Sequence, residues 1–452
     1  MAAAVLRALD AARATTDDSG PSKRRVAIAY SGGADSTALL RAASMLHHSR
    51  RIDVFAFHIH HGLAATADAW LEHCRAQAAT FGVAFDAAHI APLRPGVSVE
   101  AEARTLRYAA LMQLCRQHGC SILMTAHHVD DQAETVLVNL ARGAGVGGLA
   151  ATARSRWIDD ILLLRPLIDL PAATLRVYVA THALTHVEDP SNSDRRYTRN
   201  AIRHEVMPAL RRIVPSIATR LAQTAAHAST MQQLLDDIGH EDLRHDASTP
   251  ESEELDIDRL ASLSDPRAAN ALRVWLALRG MRAPSAAALK EMLDQLLHAS
   301  PDAQIALLHE RQTLRLYRGH VSIDRGGRPQ GAFRSLQWRG ESRIEVPEWN
   351  GTLLFDASDE RGFDALALRE GPLVLRERRG GERLRARAEG PSRTLKNLYQ
   401  EAGIAAWQRA RLPLVYLAER LVFAAGLGPN AATTQEASSG VELVQIGWEP
   451  MS

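Results

Sequence analysis

The stretch Arg25-Val26-Ala27-Ile28-Ala29-Tyr30-Ser31-Gly32-Gly33-Ala34-Asp35-Ser36 decides the fold. Its first half is an apolar run of strand character and its second half is a glycine turn. From Ser36 the chain continues Thr37-Ala38-Leu39-Leu40 in a helical pattern. A strand that ends in two glycines before a helix brings backbone N–H groups and the positive end of a helix dipole onto one point, which makes an anion cradle. The common phosphate loop adds a lysine that reaches the outer phosphates. Here lysine occurs only at Lys23, Lys290 and Lys396, so this cradle works without one.

Outward from that stretch, apolar runs at 26–30, 52–59, 83–90 and 121–126 read as strands. Helical patterns lie near 36–48, 66–81, 98–118 and 130–142, and a further apolar run, 161–164, follows a glycine-rich turn. This alternation predicts an α/β fold with a doubly wound, mainly parallel sheet and a reactive crevice beyond the carboxyl ends of its strands. Residues 1–13 are alanine-rich and read as a lead-in helix, not an export signal. A helical segment over 207–239 and a polar, acidic surface loop over 246–258 follow. Beyond them come helices near 266–279 and 284–298 and strand-like runs at 305–307 and 313–323. Residues 325–331 read as a linker. The remainder has short strands and one helix near 392–402, a small α/β unit. The expected domains are 1–215, a mostly helical 216–325, and 326–452.

Length (452 residues), 46% hydrophobic content and 23% charge suit an ordinary globular protein of two or three domains. Cys74, Cys115 and Cys120 have neither paired spacing nor an even count, which argues against a disulfide scaffold and for a reducing compartment, the cytoplasm. No apolar run is long enough to span a bilayer. The net charge of +1 does not advertise a nucleic-acid binder, but two basic islands stand out. Residues 195–212 carry Arg195, Arg196, Arg199, Arg203, Arg211 and Arg212 against Glu205 alone. Residues 371–411 hold nine arginines and Lys396 against four glutamates. Such islands on a neutral background suit a protein that grips a polyanion at chosen places, although charge runs are more often solvated faces.

The second strand ends His58-Ile59-His60-His61-Gly62-Leu63. Strand geometry sends His58 and His60 to one face. They either line a nucleotide crevice or simply close the strand, and zinc is a minor alternative because no cysteine or spaced carboxylate completes a metal set. The fourth strand runs into Thr125-Ala126-His127-His128-Val129-Asp130-Asp131-Gln132-Ala133-Glu134-Thr135. In a helix starting near Val129, Asp131 and Glu134 share a face. Paired carboxylates above a phosphate loop suit Mg²⁺, beyond what complementing the helix dipole would need. The glycine-rich segment from Arg142 to Leu149, Arg165-Pro166-Leu167, Glu188-Asp189-Pro190-Ser191-Asn192 and Tyr197-Thr198-Arg199-Asn200-Ala201-Ile202-Arg203 have the character of functional loops.

The loop 31–36 resembles the S-G-G-x-D-S pyrophosphatase-type (PP-loop) motif of Rossmann-like ATPases that cleave between the α- and β-phosphates. With the blocks above, with Glu100-Ala101-Glu102-Ala103-Arg104-Thr105-Leu106-Arg107-Tyr108 and with Leu395-Lys396-Asn397-Leu398-Tyr399-Gln400-Glu401-Ala402-Gly403-Ile404, the chain resembles the tRNA(Ile)-lysidine synthetase family in its long form. The resemblance implies a cytoplasmic ligase. It uses ATP and Mg²⁺ to adenylate C2 of the wobble cytidine in the CAU anticodon of tRNA(Ile), then joins free L-lysine to it. The product, lysidine, shifts codon reading from AUG to AUA. It also implies ATP contacts from Ser31, Gly32, Gly33, Ala34, Asp35, Ser36 and His58, with Mg²⁺ on Asp35 and Asp131. Catalytic roles fall to Asp35, Asp131, Glu134, Arg107, Arg199 and His127. Contacts to tRNA fall to Arg195, Arg199, Arg203, Arg383, Arg393 and Lys396. A homodimer is left open. tRNA 2-thiolation is the nearest rival chemistry and lacks positioned cysteines here. A nucleotide-sensing tRNA binder without turnover would not need Asp35, Asp131 and Glu134 together.

Overall fold

The alanine-rich start forms α1 (Ala2–Arg13), whose Val5, Leu9 and Ala12 recur at helical spacing and are buried in the first core. The computed structural model describes residues 1–13, 24–49, 52–60, 67–90, 99–244, 254–299, 305–324, 333–438 and 440–451. Strand and helix then alternate as β1 (Arg24–Ala29), α2 (Ala34–His48), β2 (Ile52–His60), α3 (Ala67–Thr80), β3 (Ala84–His89), α4 (Val99–Gln117), β4 (Ile122–Met124) and α5 (Val129–Ala141). A short α6 (Val146–Leu149), the hairpin β5 (Ser155–Ile158) and β6 (Ile161–Leu164), and α7 (Ala172–Thr181) follow.

The sheet order is β3-β2-β1-β4-β6-β5, parallel except for β5 at one edge. Side chains alternate across each strand, so Ile28, Met124 and Leu164 enter a core beneath α1, α2, α3 and α7. Ala27, Leu123 and Leu163 enter a second core beneath α4, with Leu111, Met112 and Cys115. The strand order turns back on either side of β1 and β4, and ligands of such sheets bind at that switch point. Edge strand β5 was not foreseen from the sequence. Its Ser155, Arg156 and Trp157 are exposed, so no apolar alternation announces it.

Helices α8 (Thr198–Ala201) and α9 (Met207–Ile213) are joined by a π-helical turn over Ile202–Val206. Pro208 explains the widened turn, since its ring crowds the carbonyl four residues earlier and it has no N–H to donate. The helix expected over 207–239 is likewise broken at Val214, which is extended ahead of Pro215, and resumes as α10 (Ile217–Leu243). Two compact units meet in sequence at Asp242 and Leu243.

The second unit begins with β7 (Leu255–Asp256), α11 (Ile257–Ala261), α12 (Asp265–Leu278) and α13 (Ala286–Leu297). Strands β8 (Ala306–His309), β9 (Gln312–Tyr317) and β10 (His320–Asp324) complete a sheet ordered β7-β10-β9-β8. The loop expected over 246–258 lies outside the described residues up to 253, and its end is strand, with Leu255 opposite Val321. The run 313–323 is two strands, not one. It turns at Arg318 (φ 50°) and Gly319 (φ 80°), the paired positive φ of a tight hairpin. The expected linker 325–331 lies outside the described residues. Antiparallel strands dominate the rest, in two five-stranded sheets. The expected helix is present as Leu395–Glu401, capped by Thr394, whose hydroxyl accepts from the Asn397 N–H. The Tyr399 hydroxyl donates to the Ala425 carbonyl at 2.9 Å.

Candidate active site

The phosphate loop leaves β1 with Tyr30, whose N–H continues the sheet by donating to the Phe57 carbonyl. Gly32 has φ 82°, and a Cβ there would lie 2.8 Å from Cys74 Sγ and 3.0 Å from Val187 Cγ2, so no other residue fits. The Val187 N–H donates to the Gly32 carbonyl at 3.0 Å, so the chain just before Glu188 buttresses the loop from behind. Ser36 Oγ donates to the Gly33 carbonyl and lies 3.0 Å from Ser31 Oγ. Gly33, extended and without a side chain, leaves the N-terminus of α2 uncapped, the arrangement that receives phosphate oxygens. His58 sits behind the strand end, buried, with Nδ1 2.9 Å from the Tyr30 carbonyl. Burial first, and His60 and His89 next, push its pKa down and outweigh that hydrogen bond.

An acidic cluster faces the loop from the start of α5. His128 caps this helix in a reciprocal box: its Nδ1 accepts from the Asp131 N–H, and Asp131 Oδ2 accepts from the His128 N–H. His128 Nε2 lies 3.5 Å from Asp35 Oδ2 and 3.4 Å from Asp131 Oδ2, so one imidazole spans the two carboxylates. Burial alone would lower the His128 pKa, but Asp35, Asp131 and Asp130 outweigh it and hold the ring above the ordinary histidine range. Burial would raise the Asp131 carboxyl, yet His128, Arg199 and His127 together keep it below its ordinary value. Sequence reasoning missed His128. The only signal was a histidine three residues ahead of an aspartate at a helix start.

Glu134 is almost wholly buried and takes two arginines, one from α8 and one from the π-turn after it: Arg199 Nε at 3.0 Å, Arg203 Nε at 2.6 Å and Arg203 Nη2 at 2.7 Å. Asp131 Oδ1 accepts from Arg199 Nη2 at 2.9 Å. The helical spacing of Asp131 and Glu134 is matched across the cleft by the spacing of Arg199 and Arg203, and the π-turn between α8 and α9 sets the latter pair. Asp130 does different work: it accepts from the Ala172 N–H at 2.7 Å and pairs with Arg211, tying α5 to α7 and α9. Asp35 and Asp131 offer hard oxygens at the lip of a phosphate loop. No group of three or more His, Cys, Asp or Glu converges on a metal position among the described residues. Two carboxylates are what Mg²⁺ commonly takes from a protein when substrate phosphates supply the rest.

Family comparisons cover most of the chain. A model described as a PP-loop domain matches residues 6–210, a TilS substrate binding domain matches 255–322, and a TilS substrate C-terminal domain matches 373–448. The tRNA(Ile)-lysidine synthase of Burkholderia pseudomallei is 41% identical, over 95% of this chain and 94% of its own length. The chain belongs to the tRNA(Ile)-lysidine synthase family. The Ralstonia nicotianae tRNA(Ile)-lysidine synthase is 43% identical over 94% of this chain and 92% of its own, and the Nitrosomonas europaea one 31% over the same shares. The activity is lysidine formation on tRNA(Ile), an ATP-using ligation.

The other residues singled out from the sequence are placed unevenly around this tRNA(Ile)-lysidine synthase cleft. His127 joins it: its Nδ1 is 2.9 Å from Thr125 Oγ1, and burial, with Arg165, Arg199 and Arg104 nearby, pushes its pKa down to about 4 against the pull of Asp131. Arg107 is exposed on α4, while Arg104 of the same helix, to which the resemblance gave no role, acts on His127. Arg203, expected to face tRNA, is instead turned onto Glu134, because two acids that deeply buried require two cations. Arg195 is exposed and paired with Glu205 at 3.4 Å. In the second unit Arg393 is forked onto Glu401, and Arg383 donates to the Ser392 carbonyl, so neither guanidinium is wholly open to phosphate. Lys396 is exposed on the Leu395–Glu401 helix. His60 is buried, 3.1 Å from Asp68 and against the His89 ring, and His61 lies outside the described residues.

Proposed function

We propose that the cleft adenylates the wobble cytidine of a CAU-anticodon tRNA(Ile) and then joins the ε-amine of free L-lysine to its C2. The base oxygen attacks the α-phosphorus of ATP and diphosphate leaves. The amine then attacks C2 and AMP leaves with that oxygen, while the amine proton passes to a carboxylate or to water. One observation carries this reading: the lysine-free phosphate loop and the Asp131–Glu134 acid pair stand on either side of the His128 imidazole.

In this reading Ser31, Ser36 and the backbone of 32–35 hold the phosphates. Asp35 and Asp131 hold Mg²⁺, which when bound supplies charge neutralisation on phosphate oxygens. A lysine ammonium has the same charge as the guanidiniums now on Asp131 and Glu134, so it competes for those carboxylates. Arg199, once displaced, is free to turn to the phosphate where charge develops. His127, kept neutral by burial, offers an uncharged hydrogen-bonding edge to the cytosine. Arg107 completes the cation set from α4. Arg195, Lys396, Arg383 and Arg393 serve the tRNA backbone, and residues 216–325 and 326–452 act as its holding domains. The cytoplasm suits this chemistry and three unpaired cysteines. Among the described residues no helix is long and apolar enough to cross a membrane.

The test incubates the protein with ATP, Mg²⁺, lysine and an unmodified CAU transcript, with nucleosides analysed by mass spectrometry. Lysidine with AMP and diphosphate is the expected outcome. ADP and orthophosphate in their place would remove the mechanism.

A further inference from the structure

Arg165 directly follows β6 on the α4 face of the sheet, in line with buried Leu163, and is 4% exposed. An arginine so buried ordinarily has a carboxylate. Among the described residues none lies within ion-pair distance of it. Its guanidinium donates to the Ala153 carbonyl and lies near the Tyr108 phenol, while Nε is buried without any partner. Two more arginines stand on this face: Arg156 of edge strand β5, opposite Leu163, and Arg104, whose guanidinium lies 5.7 Å from the Tyr108 ring. Burial and these like charges all push the Arg165 pKa down, so the fold holds a cation where isolated cations are disfavoured. Arg104 and Arg156 are exposed, so the group opens to solvent.

Position then decides which anion fits. The phosphate loop follows β1, with α2 on the far face of the sheet, and β4 intervenes before β6. Two strand spacings put the arginine group about 10 Å across the sheet from the loop. The Thr125 N–H donates to the Leu164 carbonyl at 3.0 Å, which sets Arg165 beside the strand end that carries His127, so the group borders the reacting cleft. A second phosphate is therefore required beside the cleft but away from the ATP cradle, and the substrate that carries one on each side of its reacting base is tRNA. We propose that Arg165, flanked by Arg104 and Arg156, is a phosphate site for the tRNA backbone next to the modified cytidine, holding the splayed nucleotide against His127. The phosphate site rests on the established activity alone; only the placement of the base against His127 rests on the reading above.

Full-length Arg165→Met, Arg104→Glu and Arg156→Glu test it by steady-state kinetics and filter binding of the tRNA transcript. Each is expected to raise the Michaelis constant for tRNA about tenfold while those for ATP and lysine stay within about twofold. The two exposed reversals should each reduce the salt-dependence slope of tRNA binding by about one. Arg165→Met should melt no lower than the parent, since it removes a buried cation that has no carboxylate. Unchanged tRNA constants in all three variants overturn the proposal. So does weakened inhibition by inorganic diphosphate with tRNA unaffected, which would assign the arginines to the leaving group. A lower melting temperature of Arg165→Met with normal tRNA binding would make Arg165 a structural cation and also overturn it.

Discussion

The two sides of the cleft handle charge in opposite ways. On the α5 side every carboxylate has a partner: Asp35 and Asp131 share the His128 ring, Asp131 and Glu134 share Arg199 and Arg203, and Asp130 has Arg211. On the α4 side Arg165 is as buried as Glu134 and has only a carbonyl and a phenol. A closed set of ion pairs can be entered only by exchange, ligand cation for protein cation. An uncompensated cation is entered by addition, and ligand binding there relieves strain already present. The acid side therefore suits a cationic substrate that displaces something, and the arginine side suits an anion that displaces nothing.

The sharpest way to break the comparison is on the acid side. Asp131→Asn should lower lysidine formation by about a hundredfold or more at saturating tRNA, because it removes an acceptor that both His128 and Arg199 use. Glu134→Gln should match it in rate and also lower stability by about 2 kcal/mol, since two half-buried guanidiniums then share a neutral amide. Urea unfolding of both variants checks the second part. Normal turnover by either would mean that the closed acid set is scaffolding.

Next in size is the loop itself. Gly32→Ala should abolish ATP binding and cost about 2 kcal/mol, combining the positive φ with the contact on Cys74 Sγ. Adding Cys74→Gly should recover the steric share only, so the double variant regains stability but not full ATP affinity by calorimetry. Full recovery would show that φ carries no strain here.

That loop was legible because its chemistry is local: two glycines between an apolar strand and a helix admit few geometries. The central parallel strands were legible too, since β4 and β6, buried on both faces, read as continuous apolar runs, while edge strand β3 is only partly buried and reads less evenly. Pairings across the chain were not. Nothing in Arg199 or Arg203 announces that their partners lie on α5, some 65 residues earlier. An arginine-rich segment reads as a phosphate grip whether its side chains point out or in. The Arg318-Gly319 turn escaped because apolar residues flank it closely on both sides, and the C-terminal sheets read as mixed because short strands and short helices have similar lengths.

The second unit sharpens the same contrast at smaller scale. Lys396 is exposed on its helix, whereas Arg393 is engaged by Glu401. Lys396→Glu should weaken tRNA binding severalfold at low salt, and Arg393→Gln by about twofold at most, with ATP binding unchanged in both. A larger effect from Arg393 would mean that its pair with Glu401 opens on tRNA, the behaviour expected of the acid side and not of the arginine side.

The smallest expected effect separates ligation from sulfur chemistry. Cys74, Cys115 and Cys120 are buried, and burial pushes each thiol up to about 12. An acid whose pKa rises stays protonated, so at pH 8 almost no thiolate exists on any of the three, and thiolate is the reactive form. Iodoacetamide at pH 8 should therefore leave native protein unlabelled by intact mass and fully active. In denaturant, where the thiols return to their ordinary range, all three should react. Cys74 makes the strictest case, because it lies directly beneath Gly32. A carboxamidomethyl group there could form only if the phosphate loop lifted, so labelling that ATP suppresses would report loop opening, while labelling indifferent to ATP would contradict the packing that makes Gly32 obligatory.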